Sequence, residues 1–322
     1  MLNARNMVAL LVLVMLTVLG LAPDPAPAQV AVSTLVPVSP NITGTPDTLS
    51  AGFVTPNPAA MQWGAPSRFG LGYGEGEVEP DAGDQTDFNT KFGGGRLVGM
   101  RFSASAEGVS VRDGEGPLDF AADVTTAALG VRLFSPLVAG ALYSTAKNRD
   151  GLVESDVTSW SVGGSYRFGE WLFVGGSYGE DSLKVTDSTD PLETVEFDDK
   201  RPVLMYGAGI RVGGKFRVHL EVYGVDRDAY EFEGSQFGDS ETTAGVAEVG
   251  WGPIVAGVRV ISVNANTFGL DSKTQTQIYD VAWAPLLGLA LGVHVERSEL
   301  ELDQSGAKTD TRLTALTLAY QF

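Results

Sequence analysis

The feature that most restricts this chain is the rhythm of its connections. From Arg68 to the C-terminus, runs with a period of two are joined by short and long connections in strict alternation. A period of two sends successive side chains to opposite faces, which is the signature of a strand. The short connections are Phe134-Ser135-Pro136, Phe168-Gly169-Glu170, Gly213-Gly214-Lys215, Trp251-Gly252-Pro253 and Pro285-Leu286-Leu287-Gly288, with a slightly longer one at Ser103–Gly108. The long ones are polar and acidic: Glu77–Thr90, Asp113–Leu118, Lys147–Glu154, Asp187–Lys200, Asp226–Ser240, Asn266–Thr274 and Asp303–Thr309. Six short and seven long connections imply fourteen strands, with both termini on the short-turn side. Membrane barrels have this asymmetry, and a soluble sandwich has no reason to keep it. The expected fold class is all-β: a transmembrane antiparallel up-and-down β-barrel of about 14 strands. Strand centres fall near residues 72, 98, 110, 129, 142, 162, 175, 207, 221, 247, 259, 279, 294 and 315.

The faces of these runs divide as lipid and lumen require. Phe216, Val218, Leu220 and Val222 alternate with Arg217, His219, Glu221 and Tyr223. Leu289, Leu291, Val293 and Val295 alternate with Ala290, Gly292, His294 and Glu296, and Trp160, Val162, Tyr166 and Phe168 with Ser161, Gly163, Ser165 and Arg167. The apolar set is expected outward and the polar or small set inward. Closure follows, because an open strand edge in hydrocarbon would leave backbone groups without partners.

The ends of the chain carry targeting signals. An apolar run from Met7 to Leu21 behind Arg5, then Ala26-Pro27-Ala28, has the pattern of a secretory signal peptide over residues 1–28. Export without any cysteine leaves no disulfide framework. At the other end, Leu318, Tyr320 and Phe322 form the greasy face of a last strand. They resemble the closing strand of bacterial outer-membrane barrels, whose terminal Phe and alternating apolar positions are read by the assembly machinery. Residues 29–66 form a separate unit before the barrel of 67–322. Six prolines (37, 40, 46, 56, 58 and 66) exclude a long helix or a central strand, while Leu35, Phe53, Met61 and Trp63 make it too apolar for a solvated linker. It is expected to pack inside the barrel.

Three constellations could carry chemistry. Arg101, Arg132, Arg167, Arg211 and Arg217 each lie close to a short turn on an inward position, forming a basic ring. Higher in the lumen stand His219, Glu221, Glu248, Arg259, Asp280, His294 and Glu296. With only two histidines and no Ser motif beside either, these read as lumen lining and not as a catalytic site, so no enzyme activity is expected. Acidic groups such as Glu196, Asp198 and Asp199, or Asp226, Asp228, Glu231 and Glu233, lack the ordered ligand series of a calcium loop, so no metal and no cofactor are expected. The net charge of −18 argues against nucleic acid as a partner.

Asn57-Pro58-Ala59, placed just ahead of the first of fourteen strands, resembles the hatch motif of FadL/TodX-type transporters of long-chain fatty acids and hydrocarbons. The resemblance implies a plugged fourteen-strand barrel whose solute leaves sideways through a gap beside a kinked strand. The acidic, modest loops depart from the apolar capture groove of that family. The third strand, around Val109 and Val111 and next to Gly108, Gly114 and Gly116, is the expected wall defect. The combined expectation is a monomeric porin-like barrel in the outer membrane of a Gram-negative envelope. It would be surrounded by lipid and lipopolysaccharide and pass small hydrophobic or amphipathic solutes. The alternatives are a non-conducting structural or secretion-accessory barrel and an open general porin.

Overall fold

The structure, a computed structural model, describes residues 67–321 apart from 82–84, 114–120, 151–152, 170, 191–192, 214–215, 233–234, 252–253, 268–269, 287–288 and 303–305. The expected signal peptide, the expected hatch motif Asn57-Pro58-Ala59 with the rest of 29–66, and Phe322 lie outside the described residues. The strands are β1 (Arg68–Pro80), β2 (Thr86–Val98), β3 (Phe102–Asp113), β4 (Ala121–Phe134), β5 (Leu137–Asp150), β6 (Val153–Phe168), β7 (Leu172–Asp190) and β8 (Glu193–Gly213). They continue with β9 (Phe216–Arg227), β10 (Tyr230–Phe232), β11 (Ser235–Phe237), β12 (Asp239–Trp251), β13 (Ile254–Thr267), β14 (Leu270–Leu286), β15 (Leu289–Leu302) and β16 (Lys308–Gln321). Fourteen of these form one closed antiparallel barrel, with β1 joined to β16, and β10–β11 form a small hairpin outside the wall ladder.

The stagger of the barrel can be read from its register. Stepping between directly opposed residues from Arg211 on β8 passes His219, Glu248, Gly257, Asp280, His294, Ala315 and Gly74. The path continues through Thr90, Val111, Ala122, Asn148, Ser155 and Val185 and returns to β8 at Phe197, fourteen residues from its start. A stagger equal to the strand number tilts the strands by about 35° and sets a backbone radius of about 13 Å. That leaves a lumen wider than the side chains of one wall can fill.

The outward face is the one expected. Leu220, Val222, Leu291, Val293, Val295, Leu316, Leu318 and Tyr320 are exposed, while His219, Glu221, His294, Glu296, Ala315 and Ala319 between them are buried. Aromatics ring both edges of this apolar band, Phe102, Phe168, Trp171, Trp251 and Trp283 by the short turns and Tyr73, Trp160, Tyr178 and Tyr279 at the far edge. At that far edge the Tyr73 hydroxyl donates to Glu75 at 3.1 Å and that of Tyr279 to Gln277 at 3.0 Å. An apolar ring with a wet hydroxyl suits a membrane–water interface.

Two expectations need correction. Most of the polar stretches read as long loops are paired strand. β5 reaches Asp150 and β6 starts at Val153, β7 reaches Asp190 and β8 starts at Glu193, and β13 and β14 are as close. Beyond the lipid both faces are polar, so the hydropathy alternation vanishes while the backbone ladder continues. Exposed cross-strand ion pairs mark this zone: Arg112–Asp123 at 2.8 Å, Lys200–Glu180 and Arg312–Glu77 at 3.2 Å, Lys308–Glu299 at 2.7 Å, and Arg149–Glu154. Water and salt screen such exposed pairs, so they add little to stability. The second correction concerns Ser103–Gly108, which is strand β3 and not a turn. The turn is Gly99-Met100-Arg101, and residue 98 is the end of β2, not its centre. β3 also pairs without a register shift to β2 and β4, so the wall defect expected around Val109 and Val111 is absent from that strand.

Val222 lies mid-strand on the lipid face. Val222→Arg should lower unfolding stability in vesicles by ~2–4 kcal/mol, against under ~1 kcal/mol for Val222→Leu. Comparable losses in denaturant titrations would contradict the face assignment.

Candidate functional site: the barrel lumen

The lumenal wall carries two apolar patches above a polar belt. On one side Val78 of β1, Phe88 and Phe92 of β2, and Val109 and Val111 of β3 point inward and are buried. Phe92 stands opposite Gly72 and Phe88 opposite Gly76, and both rings lie where a β1 side chain would otherwise be. A Cβ on Gly72 would run into the Phe92 ring, one on Gly76 into the Phe88 ring, and one on Gly74 would stand 2.8 Å from the Ala315 Cβ. Across the barrel, Val203, Tyr223, Val225, Ala244 and Val246 form a second buried cluster, with Met205 and Ile261 against it. Burying each of these large side chains is worth roughly 1.5–3 kcal/mol.

The polar belt lies below that second patch. His219 Nδ1 is 3.5 Å from Glu248, directly opposite on β12, and Nε2 is 3.4 Å from Glu221, two residues along β9. The arrangement repeats on β15. His294 Nδ1 is 2.8 Å from Asp280, directly opposite on β14, and Nε2 is 3.5 Å from Glu296. Arg259 of β13 donates to Asp280 at 2.8 Å. Gly257, opposite both Glu248 and Asp280, leaves the gap into which Glu248 leans, its Cγ 3.1 Å from where a Cβ would stand. All seven residues singled out as a lumen polar set are thus brought together on four adjacent strands and β9, and all are buried.

The basic ring is placed in part. Arg132, Arg167 and Arg211 lie inward within three residues of the short-turn ends of β4, β6 and β8. Arg217 sits at the matching end of β9, its side chain outside the described residues. Arg101 is exposed in the turn between β2 and β3, and Arg96, buried on the inward face of β2, stands where a ring member was expected. Misplacing that turn hid Arg96, Phe88 and Phe92 from the sequence reading. Parity would have found them, since all three share the inward parity of Thr90.

At the opposite mouth, hairpin β10–β11 is tied to the inner wall. The Arg201 guanidinium lies 4.4 Å from the Tyr230 ring centre, donates to the Gly238 carbonyl, and is 3.6 Å from Asp181. Phe197 meets Tyr230 edge-on at 6.3 Å, and Asp228 N–H donates to Pro202 at 3.3 Å. Burial pushes the Tyr230 phenol up from its ordinary value.

A further hollow of about 700 Å³ is cut into the lipid-facing side of β2–β6, between Leu97, Phe102, Leu129, Val131, Ala139, Ala141 and Val162. Gly130, Gly140 and Gly163, directly opposed in one row, form its floor.

A closed, antiparallel fourteen-strand barrel with an apolar outer band is the fold of a transmembrane β-barrel. No protein-family model matches the chain, and no curated protein matches it by sequence. Solved structures do match. The CymD monoaromatic hydrocarbon channel superposes with a TM-score of 0.55 at 12% identity, covering 89% of this chain and 97% of that one. A Pseudomonas aeruginosa FadL homologue gives 0.55 at 10% identity over 88% and 98%, and the Pseudomonas putida toluene transporter TodX 0.50 at 9% over 83% and 92%. The resemblance read from the sequence therefore holds for the fold: the chain has the FadL/TodX-type barrel architecture.

Gly72→Ala and Gly76→Ala should each cost about 1–3 kcal/mol by displacing a Phe ring, whereas Gly245→Ala, with open space around it, should be neutral. Thermal unfolding in detergent separates them. Arg259→Met should cost about 3–5 kcal/mol by stripping buried Asp280 of its guanidinium and leaving it His294 alone, and adding Asp280→Asn should restore part of that loss. A double variant as unstable as the single one would contradict the pairing.

Proposed function

We propose that this chain is an outer-membrane channel for passive uptake of small hydrophobic or amphipathic solutes, closed towards the periplasm by residues 29–66. The observation that carries this reading is the lumen itself. Buried aromatic and aliphatic side chains on facing walls offer an apolar path through a barrel too wide to be filled by its own wall. An open porin for polar solutes would gain nothing from Phe88, Phe92 and Tyr223 pointing inward. The fold shared with hydrocarbon and toluene channels supports the same reading. Arg96, Arg132, Arg167 and Arg211 line the entrance that a hatch around Asn57-Pro58-Ala59 would occupy.

The exit we assign is sideways, through the wall above the lipid-facing hollow. There the inward row of β4, β5 and β6 is Gly130, Gly140 and Gly163, so only backbone separates lumen from lipid. An apolar solute released there enters hydrocarbon without crossing water.

Deleting residues 29–56 should raise ion conductance in planar bilayers sharply while the barrel still assembles. Uptake of 2-phenylethanol into vesicles should be measurable for the whole chain and slowed by Ala141→Phe, which fills the hollow. A whole chain that already conducts ions freely, unchanged by the deletion, is an open porin. One that passes neither ions nor phenylethanol, before or after deletion, is a structural barrel.

A further inference from the structure

We propose that the hollow in the lipid-facing wall of β2–β6 seats one phospholipid with an anionic headgroup. One acyl chain would lie in the hollow, and the phosphate would meet Arg101 at its rim. The site goes beyond the transport reading and does not rest on it.

The hollow has the shape of a trough. Directly opposed outward residues form two rows across these strands. Phe102, Val131 and Ala139 make the row nearer the short turns. Leu97, Ala104, Leu129, Ala141 and Val162 make the next row, two residues further along each strand. The alanines keep the surface low, while Leu97, Phe102, Leu129 and Val162 stand exposed on either side. Four strand spacings of ~4.8 Å give a length of about 19 Å, enough for an acyl chain of one leaflet, which crosses about 15 Å of hydrocarbon. Such a chain gains nothing from leaving water, because lipid is already apolar. It gains the van der Waals contacts that a trough of about 700 Å³ lined by small residues offers. A second copy of this chain would not fill the trough, since a two-fold contact sets hollow against hollow and leaves a void.

The rim supplies the charge. Gly99 and Phe102, on either side of Met100 and Arg101, both line the hollow. Gly99 N–H donates to the Phe102 carbonyl at 2.7 Å and Arg132 N–H to the Arg101 carbonyl at 2.8 Å, which fixes the turn against the wall. Arg101 is exposed on it, and Met100 beside it is 90% exposed. Neither this turn nor Ser135-Pro136, the other turn below the hollow, carries a carboxylate. The exposed acids of these strands, Asp87, Asp123, Glu154 and Asp156, stand at the far edge of the apolar band. That edge is about 25 Å away, several Debye lengths off, so their repulsion is screened. A guanidinium forks onto two phosphate oxygens at once. Short turns of outer-membrane barrels face the periplasm, where the leaflet is phospholipid and not lipopolysaccharide.

The test follows lipid retained by the full chain in detergent by native mass spectrometry, with dioleoyl phosphatidylglycerol and dioleoyl phosphatidylcholine offered in equal amounts. The chain should retain one phosphatidylglycerol about fivefold over phosphatidylcholine. Arg101→Gln should level the two lipids while one is still retained, and Ala139→Phe, which fills the trough, should release both. Arg297→Gln, at an exposed arginine of β15 on the far edge, should change nothing. Heat-modifiable mobility confirms that each variant is folded, and the wild-type ranking needs no variant. Equal retention of the two lipids by the whole chain overturns the proposal. So does a preference that survives either Arg101→Gln or Ala139→Phe in a folded barrel. A mass of two chains that Ala139→Phe splits overturns it in favour of a contact between copies. Uptake of 2-phenylethanol is a separate readout. If phenylethanol enters vesicles while neither lipid is preferred, this inference alone falls; if phosphatidylglycerol is held while phenylethanol does not enter, the transport reading alone falls.

Discussion

Everything in this molecule depends on satisfying backbone hydrogen bonds where no water is available. A strand in hydrocarbon with a free edge leaves a row of unmet N–H and C=O groups, so the wall must close on itself. Closure is made by β1 and β16, which pair from Arg68 opposite Gln321 to Pro80 opposite Thr309. The first and last strands are therefore as tightly specified as any in the middle. Register is held by what a slip would do. Moving β16 by one residue would bring Leu316, Leu318 and Tyr320 into the lumen and turn Thr311, Ala315 and Ala319 to lipid.

That constraint explains what was legible from the residues. Wherever lipid lies on one side and lumen on the other, the two faces differ in polarity and the alternation is plain, as in β9, β15 and β16. Each pairs large apolar side chains outward with His, Glu, Ala or Thr inward. Gly and Pro marked the sharp turns correctly for the same reason that they end strands elsewhere. Legibility failed where the faces are alike. Above the lipid, Lys147, Arg149, Glu154 and Asp156 pair across β5 and β6 as regular strand, yet in sequence they look like any solvated loop. In β3, Ala104, Ala106 and Gly108 outward alternate with Ser103, Ser105 and Glu107 inward, small against small, and the start of the strand was lost.

The lumen was half legible, for a related reason. Charged residues at inward parity announce themselves, so His219, Glu221, Glu248, Arg259, Asp280, His294 and Glu296 could be gathered before any contact was known. That both histidines stand in the same His-x-Glu setting opposite a carboxylate needed the register. Inward apolar residues announce nothing, because Phe88 or Val111 looks the same facing lipid or facing a solute. The glycines of β1 are the overlooked signal. Of three at inward positions, Gly72 and Gly76 lie under the Phe92 and Phe88 rings, and Gly74 stands against Ala315 and Leu313.

Two stretches of the wall differ in what their mid-strand inward rows carry. On β9 and β12–β15 the strands are bonded by their ladders and also by cross-strand side chains: Glu248 on His219, Arg259 and His294 on Asp280, and Thr276 on Ser298 at 3.0 Å. To part any of these strands would strip partners from buried charges as well as from the backbone. On β4–β7 the paired positions include Gly130 with Gly140, Gly140 with Gly163, and Gly164 with Gly176. At these pairs no side chain reaches across, although Thr126 with Ser144 and Asn148 with Ser155 bond the same strands nearer the far mouth. The buried charges thus fall on one set of strands and the bare backbone pairs on another.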